Sequence, residues 1–376
     1  MRIGIDYRPV TAAPHSGIAR QVLAMDQALQ SRPGVEVLRF TAAPLDHVHR
    51  SLAYCPPWGS PVNGLHRPQE RLKFEMYFLP KVLRRTRPDW YVATANSGLP
   101  VWRGAPQTRY VLLLHDLFQL TMTNYHNQWL KTLVYRQIDR FSMSHSITMA
   151  DSIWTPSRFT ASQVAQLYPA QAARLALLPS AVVTTAADIT IDMPADIPFS
   201  YWLVVGAREP RKNVPWLVEQ WRQVRIQQLG DIPELVVVGH SGDLPENLRD
   251  LPGLHFLSDI SDEQLRIIYA RASRLWHPSK AEGFGLPVVE AMAQGTPVAV
   301  ASGSALDEVV PPSTVRFDPD DGAAMQVLML SLSRTTAPHA FDSGMLRDWA
   351  QRYGMVAYSK RLWALLDTLG SDGASR

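Results

Sequence analysis

The stretch from Lys280 to Val300, KAEGFGLPVVEAMAQGTPVAV, sets two carboxylates, Glu282 and Glu290, around two glycines and a proline. Gly283 and Gly285 carry no Cβ and let backbone come close to a ligand. Pro287 pre-sets the first helical position, where its missing N–H costs nothing. Val288, Val289, Ala291, Met292 and Ala293 then form a short, mostly apolar helix. Gly295 is its expected left-handed stop, Pro297 blocks continuation, and Val298-Ala299-Val300 reads as the next strand. A glycine loop opening onto a helix N-terminus presents N–H groups and the positive end of a macrodipole, which is a site for phosphate. An acid in the first turn, as Glu290 is expected to be, suits the dipole on structural grounds alone. Glu282, set among Ala281, Gly283 and Phe284, has no local partner. Two acceptor-only side chains beside an anion site fit a ligand with hydroxyls as well as phosphates, such as a nucleotide sugar.

Glu282-Gly283-Phe284-Gly285-Leu286-Pro287, with Glu290 eight residues after Glu282 and Gly295-Thr296-Pro297-Val298 beyond, resembles the E-x7-E signature of retaining glycosyltransferases of family 4. The resemblance implies an α/β chain of GT-B architecture, two facing Rossmann-like domains with parallel sheets. It implies that Glu282 hydrogen-bonds the transferred sugar and Glu290 the ribose of the nucleotide. Gly283, Phe284, Gly285 and Leu286 then belong to the nucleotide-sugar site.

Those residues need strands to hold them. Tyr201 to Val205 reads as a strand running into Gly206 and then Arg208, Arg211 and Lys212 before a helix, a second phosphate-site candidate. The plain alternative is solvated surface charge. The sequence EPRKN resembles the family's arginine-lysine motif, whose cations bind the donor's diphosphate; Lys212 matches best and Arg211 next. Ala207 stands where many members have arginine, a departure that leaves Arg208 without a match.

In the N-terminal half, Arg2 to Ile5 is a buried-strand candidate, followed by a loop around Gly17 and a helix from Ile18. Gly17 lies near the strand's carboxyl end, where open α/β sheets bind ligands, although a single glycine is more simply read as a plain turn. The family has a glycine loop there, near donor phosphate and acceptor. Val35 to Phe40 alternates as a second strand. The apolar run Tyr110 to Leu114 suits a strand covered on both faces, and it ends in His115-Asp116. His115 is either a structural hydrogen-bonder or functional. Its place matches the family's histidine that contacts the donor sugar. Asn127 to Phe141 is expected to be helical, with Ser146 to Thr148 and Ile153 to Ser157 as the domain's last strands. Ser180 and Ala181 depart from the Pro-Asn-Gly-Val that the family usually has there. Ser302 to Leu306 resembles its serine-rich nucleotide turn. Asp318-Pro319-Asp320-Asp321 reads as a solvated turn before a helix rather than a metal site.

The expected organisation is an acceptor-binding domain over 1–183, an Ala/Asp/Pro-rich linker over 184–200 and a nucleotide-sugar domain over 201–345. By resemblance, a C-terminal helical segment over 346–376 packs back on the first domain. A chain of 376 residues is long for one domain and sufficient for two. One cysteine, Cys55, excludes an intrachain disulfide, and no Cys/His cluster suggests zinc. The opening MRIGID reads as a strand rather than a signal peptide, and no apolar run reaches a membrane span. A cytoplasmic protein is expected, peripheral at the inner face of the membrane if it meets lipid.

The charge is asymmetric. Residues 1–190 hold 20 Lys+Arg against 11 Asp+Glu, a balance of +9, whereas residues 191–376 hold 17 against 23, a balance of −6. A basic half attracts polyanions. With no nucleic-acid motif beside it, a membrane surface or an anionic acceptor is the expected partner. Residues 67–90 interleave Arg67, Arg71, Lys73, Lys81, Arg84, Arg85 and Arg87 with Phe74, Tyr77, Phe78, Leu79, Val82 and Leu83. That pattern suits an interfacial element, but the apolar side reads more simply as the core stripe of a surface helix, with the cations left to meet lipid headgroups or an acceptor diphosphate.

The expected reaction is transfer of a hexose from a nucleoside-diphosphate sugar to a saccharide or polyprenyl-diphosphate-linked acceptor, with retention and with no metal or further cofactor. Mannose from GDP-mannose is the favoured donor on likeness to mannosyl-transferring members. Two rival readings share the donor pocket: a nucleotide-sugar epimerase or hydrolase, and a non-catalytic nucleotide-sugar sensor.

Overall fold

Short apolar segments buried on both faces, Ile3 to Asp6 and Tyr110 to Leu113 among them, have nowhere to go but the centre of a parallel sheet. The computed structural model describes residues 1–45, 52–59, 68–121, 129–188, 197–227, 231–334 and 343–371. Among them seven strands form the first sheet: β1 (Arg2–Asp6), β2 (Glu36–Phe40), β3 (Ala53–Tyr54), β4 (Trp90–Ala93), β5 (Arg109–Leu113), β6 (Ser152–Thr155) and β7 (Leu175–Leu177). Their order is β3-β2-β1-β4-β5-β6-β7. A second sheet contains β8 (Tyr201–Val205), β9 (Glu234–Val238), β10 (Leu254–Leu257), β11 (Arg274–His277), β12 (Val298–Ala301) and β13 (Val315–Phe317), in the order β10-β9-β8-β11-β12-β13. All the pairings in both sheets are parallel.

The strand order reverses between β1 and β4 in one sheet and between β8 and β11 in the other. At such a reversal the connections diverge to opposite faces, which opens a crevice at the carboxyl ends of the two strands. The loops that leave β8 and β11 carry Lys212 and Glu282.

The chain divides into two compact units, Met1–Ala181 with Met355–Arg376, and Val182–Gly354. The division differs from the expected boundaries, and side-chain contacts explain the difference. The described part of the expected linker is tied into the second unit: Gln294 donates to the Thr185 carbonyl (3.1 Å) and accepts from the Ala187 N–H (2.9 Å). Residues 189–196 lie outside the described residues. Helix Ser343–Ala350 also stays with the second unit, since Leu346 and Ala350 enter its core beside Val289 and Met292. Helix Met355–Ser371 belongs to the first unit, where Tyr358, Leu362 and Leu366 share a core with Val22, Met25 and Leu29 of helix Gly17–Gln30.

Several local expectations are corrected. Ser146 to Thr148 is not a strand but the end of helix Trp129–Met149, with Ile147 buried in the core, while Asn127 lies outside the described residues. Trp90–Ala93, not singled out in the sequence, is β4. Pro287 is the second residue of helix Leu286–Ala293 rather than the first. Glu290 is the fifth, past the first turn, so the macrodipole does not account for it.

Helix Pro68–Lys73, a five-residue π segment (Phe74–Phe78) and helix Leu79–Thr86 run on continuously. Phe74, Leu79, Val82 and Leu83 are core, as the structural reading of the apolar stripe has it. Arg71 is buried against Asp139 at 2.6 Å and so is not a surface cation. Lys73, Lys81, Arg84, Arg85 and Arg87 are exposed, and Arg67 lies outside the described residues. Tyr77, 61% exposed, meets the half-exposed Trp102 edge to face.

Candidate functional site

Pro210–Lys212 forms one 3-10 turn after β8, closed by Asn213 in a left-handed conformation (φ 55°) that opens helix Val214–Ile226. This turn is stitched to the loop after β11 by backbone and side-chain contacts. The Lys280 N–H donates to the Arg211 carbonyl (2.9 Å). The Ser279 hydroxyl reaches the same carbonyl (3.2 Å) and that of Ala281 (3.1 Å). Arg211 Nη1 in turn donates to the Ala281 carbonyl (2.9 Å).

The stitching brings Lys212, Arg211 and Glu282 together. Glu282 is 5% exposed, and its Oε1 lies 2.5 Å from Lys212 Nζ, 3.0 Å from Arg211 Nη1 and 3.1 Å from His277 Nε2. Arg211 Nε also meets Glu209 at 2.8 Å. Burial alone would raise the Glu282 carboxyl; Lys212, the His277 hydrogen bond and Arg211 outweigh it and hold the group well below the usual carboxylate range. His277 is moved down, first by burial and further by the two cations, with Glu282 opposing. The cluster therefore consists of an ionised carboxylate, two cations and a neutral imidazole.

Next along the chain, Gly285 takes φ +94° and caps helix Leu286–Ala293. A Cβ there would sit 2.4 Å from Leu306 Cδ2, so both conformation and space require glycine. Phe284 is buried, and its ring stands edge to face on Tyr353 at 5.2 Å. Only its backbone is available to a ligand, and its side chain is core. Gly283 is buried and Leu286 half-buried. Glu290, half-buried, accepts from the Tyr269 hydroxyl at 3.0 Å. Gly206 takes φ +83° at the end of β8, with open space where a side chain would go.

The remaining candidates lie in the first unit. His115 follows β5; its N–H donates to Asn96 Oδ1 (2.6 Å), and its Nε2 lies 2.9 Å from the Thr94 carbonyl. A carbonyl can only accept, so the proton is on Nε2 and Nδ1 is left as an acceptor. Burial moves His115 down, against the Thr94 bond, and the ring is neutral. Asn96 itself is left-handed (φ 63°). Gly17 is the first residue of helix Gly17–Gln30, capped by Ser16 Oγ accepting from the Ala19 N–H at 3.1 Å. Asp321 likewise caps helix Gly322–Ser333 and Asp320 pairs with Lys280, the turn reading of that acidic run.

Sequence reasoning missed His277, Tyr269 and Asn96. Each reaches its partner across the fold, and no spacing rule marks such a residue.

Two α/β units built on parallel sheets, the second with cations and a carboxylate at its reversal point, define a GT-B glycosyltransferase. The chain belongs to glycosyltransferase family 4: residues 15–186 match the family model described as Glycosyltransferase Family 4, and residues 200–333 the one described as Glycosyl transferases group 1. Among curated proteins it is 29% identical over 239 residues to O-antigen chain mannosyltransferase B of Escherichia coli, covering 59% of this chain and 60% of that one. It is 26% identical over 242 residues to O-antigen chain mannosyltransferase RfbU of Salmonella typhimurium, covering 62% of each. The matches to these relatives thus span about three-fifths of their length. Among solved structures, sucrose-phosphate synthase from Thermosynechococcus elongatus superposes with TM-score 0.69 at 17% identity, covering 99% of this chain and 100% of that one. Anabaena HepE, solved in complex with UDP-glucose, superposes with TM-score 0.69 at 15% identity, covering 98% and 100%.

Proposed function

We propose that this protein is a retaining glycosyltransferase that moves a hexose from a nucleoside-diphosphate sugar to a saccharide or lipid-linked saccharide acceptor in bacterial surface-polysaccharide synthesis. The observation that carries the reading is the convergence of Lys212 and Arg211 on Glu282 beside the start of helix Leu286–Ala293. Breaking the sugar–phosphate bond leaves negative charge on the departing diphosphate. Two cations and a helix N-terminus are matched to that charge and need no metal to meet it. Glu282 is assigned to a hydroxyl of the transferred sugar and Glu290 to the ribose. His115 is assigned to the sugar as well, where Nδ1 accepts a hydrogen bond from a hydroxyl.

Mannose from GDP-mannose is the donor favoured by the two O-antigen relatives, both described as mannosyltransferases. Retention follows from same-face displacement, in which a departing diphosphate oxygen takes the acceptor's proton as the new glycosidic bond forms. The exposed cations of residues 73–87, beside Tyr77 and Trp102, suit an anionic membrane carrying the acceptor. No helix among the described residues is long and apolar enough to cross a membrane.

The test is incubation of the purified protein, with and without EDTA, with GDP-mannose and a panel of other nucleotide sugars. Polyprenyl-diphosphate-linked saccharides serve as acceptors. Transfer that preserves the donor's anomeric configuration, read from the one-bond C1–H1 coupling of the product, supports the reading. An inverted product defeats retention. Donor turnover that needs no acceptor indicates an epimerase or hydrolase, and binding without turnover a sensor. Sedimentation with anionic but not neutral vesicles tests the membrane contact.

A further inference from the structure

Among the described residues three groups converge on a single oxygen, Oε1 of Glu282: Lys212 Nζ and His277 Nε2 by hydrogen bonds, and Arg211 Nη1 as an ion pair at 3.0 Å. Two of them are the cations assigned above to a diphosphate. The buried carboxylate is the anion that these cations hold. An incoming nucleoside diphosphate, carrying more negative charge, competes for the same cations. As they turn to it, Glu282 loses the charges that make its burial tolerable.

His277 is placed differently from the cations. It is the last residue of β11, 1% exposed, so its ring is held by the sheet rather than by a turn. Its Nδ1 is buried, with no hydrogen-bond partner among the described residues. With a carboxylate at Nε2 and no described acceptor at Nδ1, the proton belongs on Nε2, aimed at Glu282. A neutral donor is not drawn to a diphosphate as a cation is.

We propose that His277 is a positioning residue that keeps Glu282 in place when a nucleoside diphosphate draws Lys212 and Arg211 away from it. The inference rests on the donor assignment under Proposed function and names the group that keeps its carboxylate oriented through the exchange. His277 has no role in binding the diphosphate itself. Loss of its N–H therefore affects turnover and not nucleotide affinity, a separation that a purely structural residue would not produce.

The experiment uses the full chain with His277→Leu, which removes the donor, and His277→Gln, whose amide N–H replaces Nε2–H. Calorimetric titration with GDP and UDP is paired with turnover of GDP-mannose or whichever nucleotide sugar the unsubstituted protein accepts. The expected result for His277→Leu is nucleoside-diphosphate affinity close to that of the unsubstituted protein with kcat reduced about 100-fold, and partial recovery of kcat in His277→Gln. Unchanged kcat in His277→Leu overturns the proposal, and so does affinity lost in proportion to turnover. If the leucine variant fails to fold, imidazole ¹⁵N spectra of the unsubstituted protein decide. The Nε2-protonated signal of His277 is expected to persist when GDP or UDP is added, and its loss on addition overturns the proposal. An unsubstituted protein that binds no nucleoside diphosphate overturns the donor reading and the exchange with it, an outcome distinct from failure of His277 alone.

Discussion

The Tyr269 hydroxyl lies 3.0 Å from the Glu290 carboxylate, 21 residues away in the chain. Tyr269 is fixed at both ends of its residue, because its backbone carbonyl accepts from the Thr296 hydroxyl at 2.5 Å, just past the end of Glu290's own helix. Glu290 is thus aimed by tertiary contacts. If it binds ribose, its contact is made in the ground state and the transition state alike, and weakening it raises KM without lowering kcat. Tyr269→Phe removes one hydrogen bond worth about 1 kcal/mol, or roughly fivefold in KM for the donor. Steady-state kinetics check this. An effect on kcat of the same size with KM unchanged would place Glu290 at the reacting centre instead.

Glu282 and Lys212 predict a pH dependence as well as a rate effect. Lys212→Ala is expected to lower kcat about 100-fold, as removal of one preorganised electrostatic contact does, measured under saturating donor. Glu282 is held below its unfolded value, so its stabilisation is complete above the ordinary carboxylate range of about 4.3 and is lost as pH falls through the depressed folded value. Glu282→Gln keeps the shape but leaves Lys212 and Arg211 beside a neutral amide. The variant should melt lower than the parent at pH 7 and approach it in acid. Melting curves that stay parallel down to pH 3 would show that the carboxylate is not the stabilising partner.

How much of this was legible in the sequence depends on distance along the chain. The glycine loop, Pro287 and the Gly295 stop act over a few residues, and Gly295 is left-handed as expected. Strand β5 was legible because a sheet covered on both faces leaves a continuous apolar run. Ser146 to Thr148 misled because a buried end turn of a helix and a short strand share the same β-branched, apolar signal. Tyr269, His277 and Asn96 were not legible, since each acts on a partner that only folding brings near. Glu290 was assigned to the first turn because one residue's error in the helix start is within what local signals resolve. At the boundary near residue 184, composition marked a linker, but Gln294, more than a hundred residues later, claims that segment for the second unit.

Gly285 and Gly206 separate two reasons for glycine. Both have positive φ, but a Cβ at Gly285 would strike Leu306 while one at Gly206 meets nothing within 4 Å. Gly206→Ala is expected to cost about 1–2 kcal/mol, the left-handed penalty alone. Gly285→Ala adds overpacking of roughly 1–3 kcal/mol and distorts the helix start. Urea unfolding of both variants should rank them in that order. Equal costs would show that Leu306 moves aside freely.

At the carboxyl end of β1, Arg8 reaches two buried acidic side chains. Arg8 makes a two-pronged contact with Asp6 (2.9 and 2.7 Å) and a longer one with Glu75 (3.4 Å), with its guanidinium 4.2 Å over the Phe74 ring. Glu75, on the π segment, also accepts from the Ser142 hydroxyl at 3.3 Å. Burial raises the Glu75 carboxyl, and Arg8 and Arg71 only partly offset it. A carboxyl raised by folding stabilises most fully below its unfolded value and loses that contribution as pH rises through the folded one. Glu75→Gln, which cannot ionise, should therefore gain on the parent in melting temperature as pH goes from 5 to 8. Arg8→Leu leaves the buried Asp6 without its ion-pair partner, at a cost of roughly 3–5 kcal/mol at either pH. A Glu75→Gln variant that falls further below the parent with rising pH would mean that Glu75 is ionised and held by Arg8.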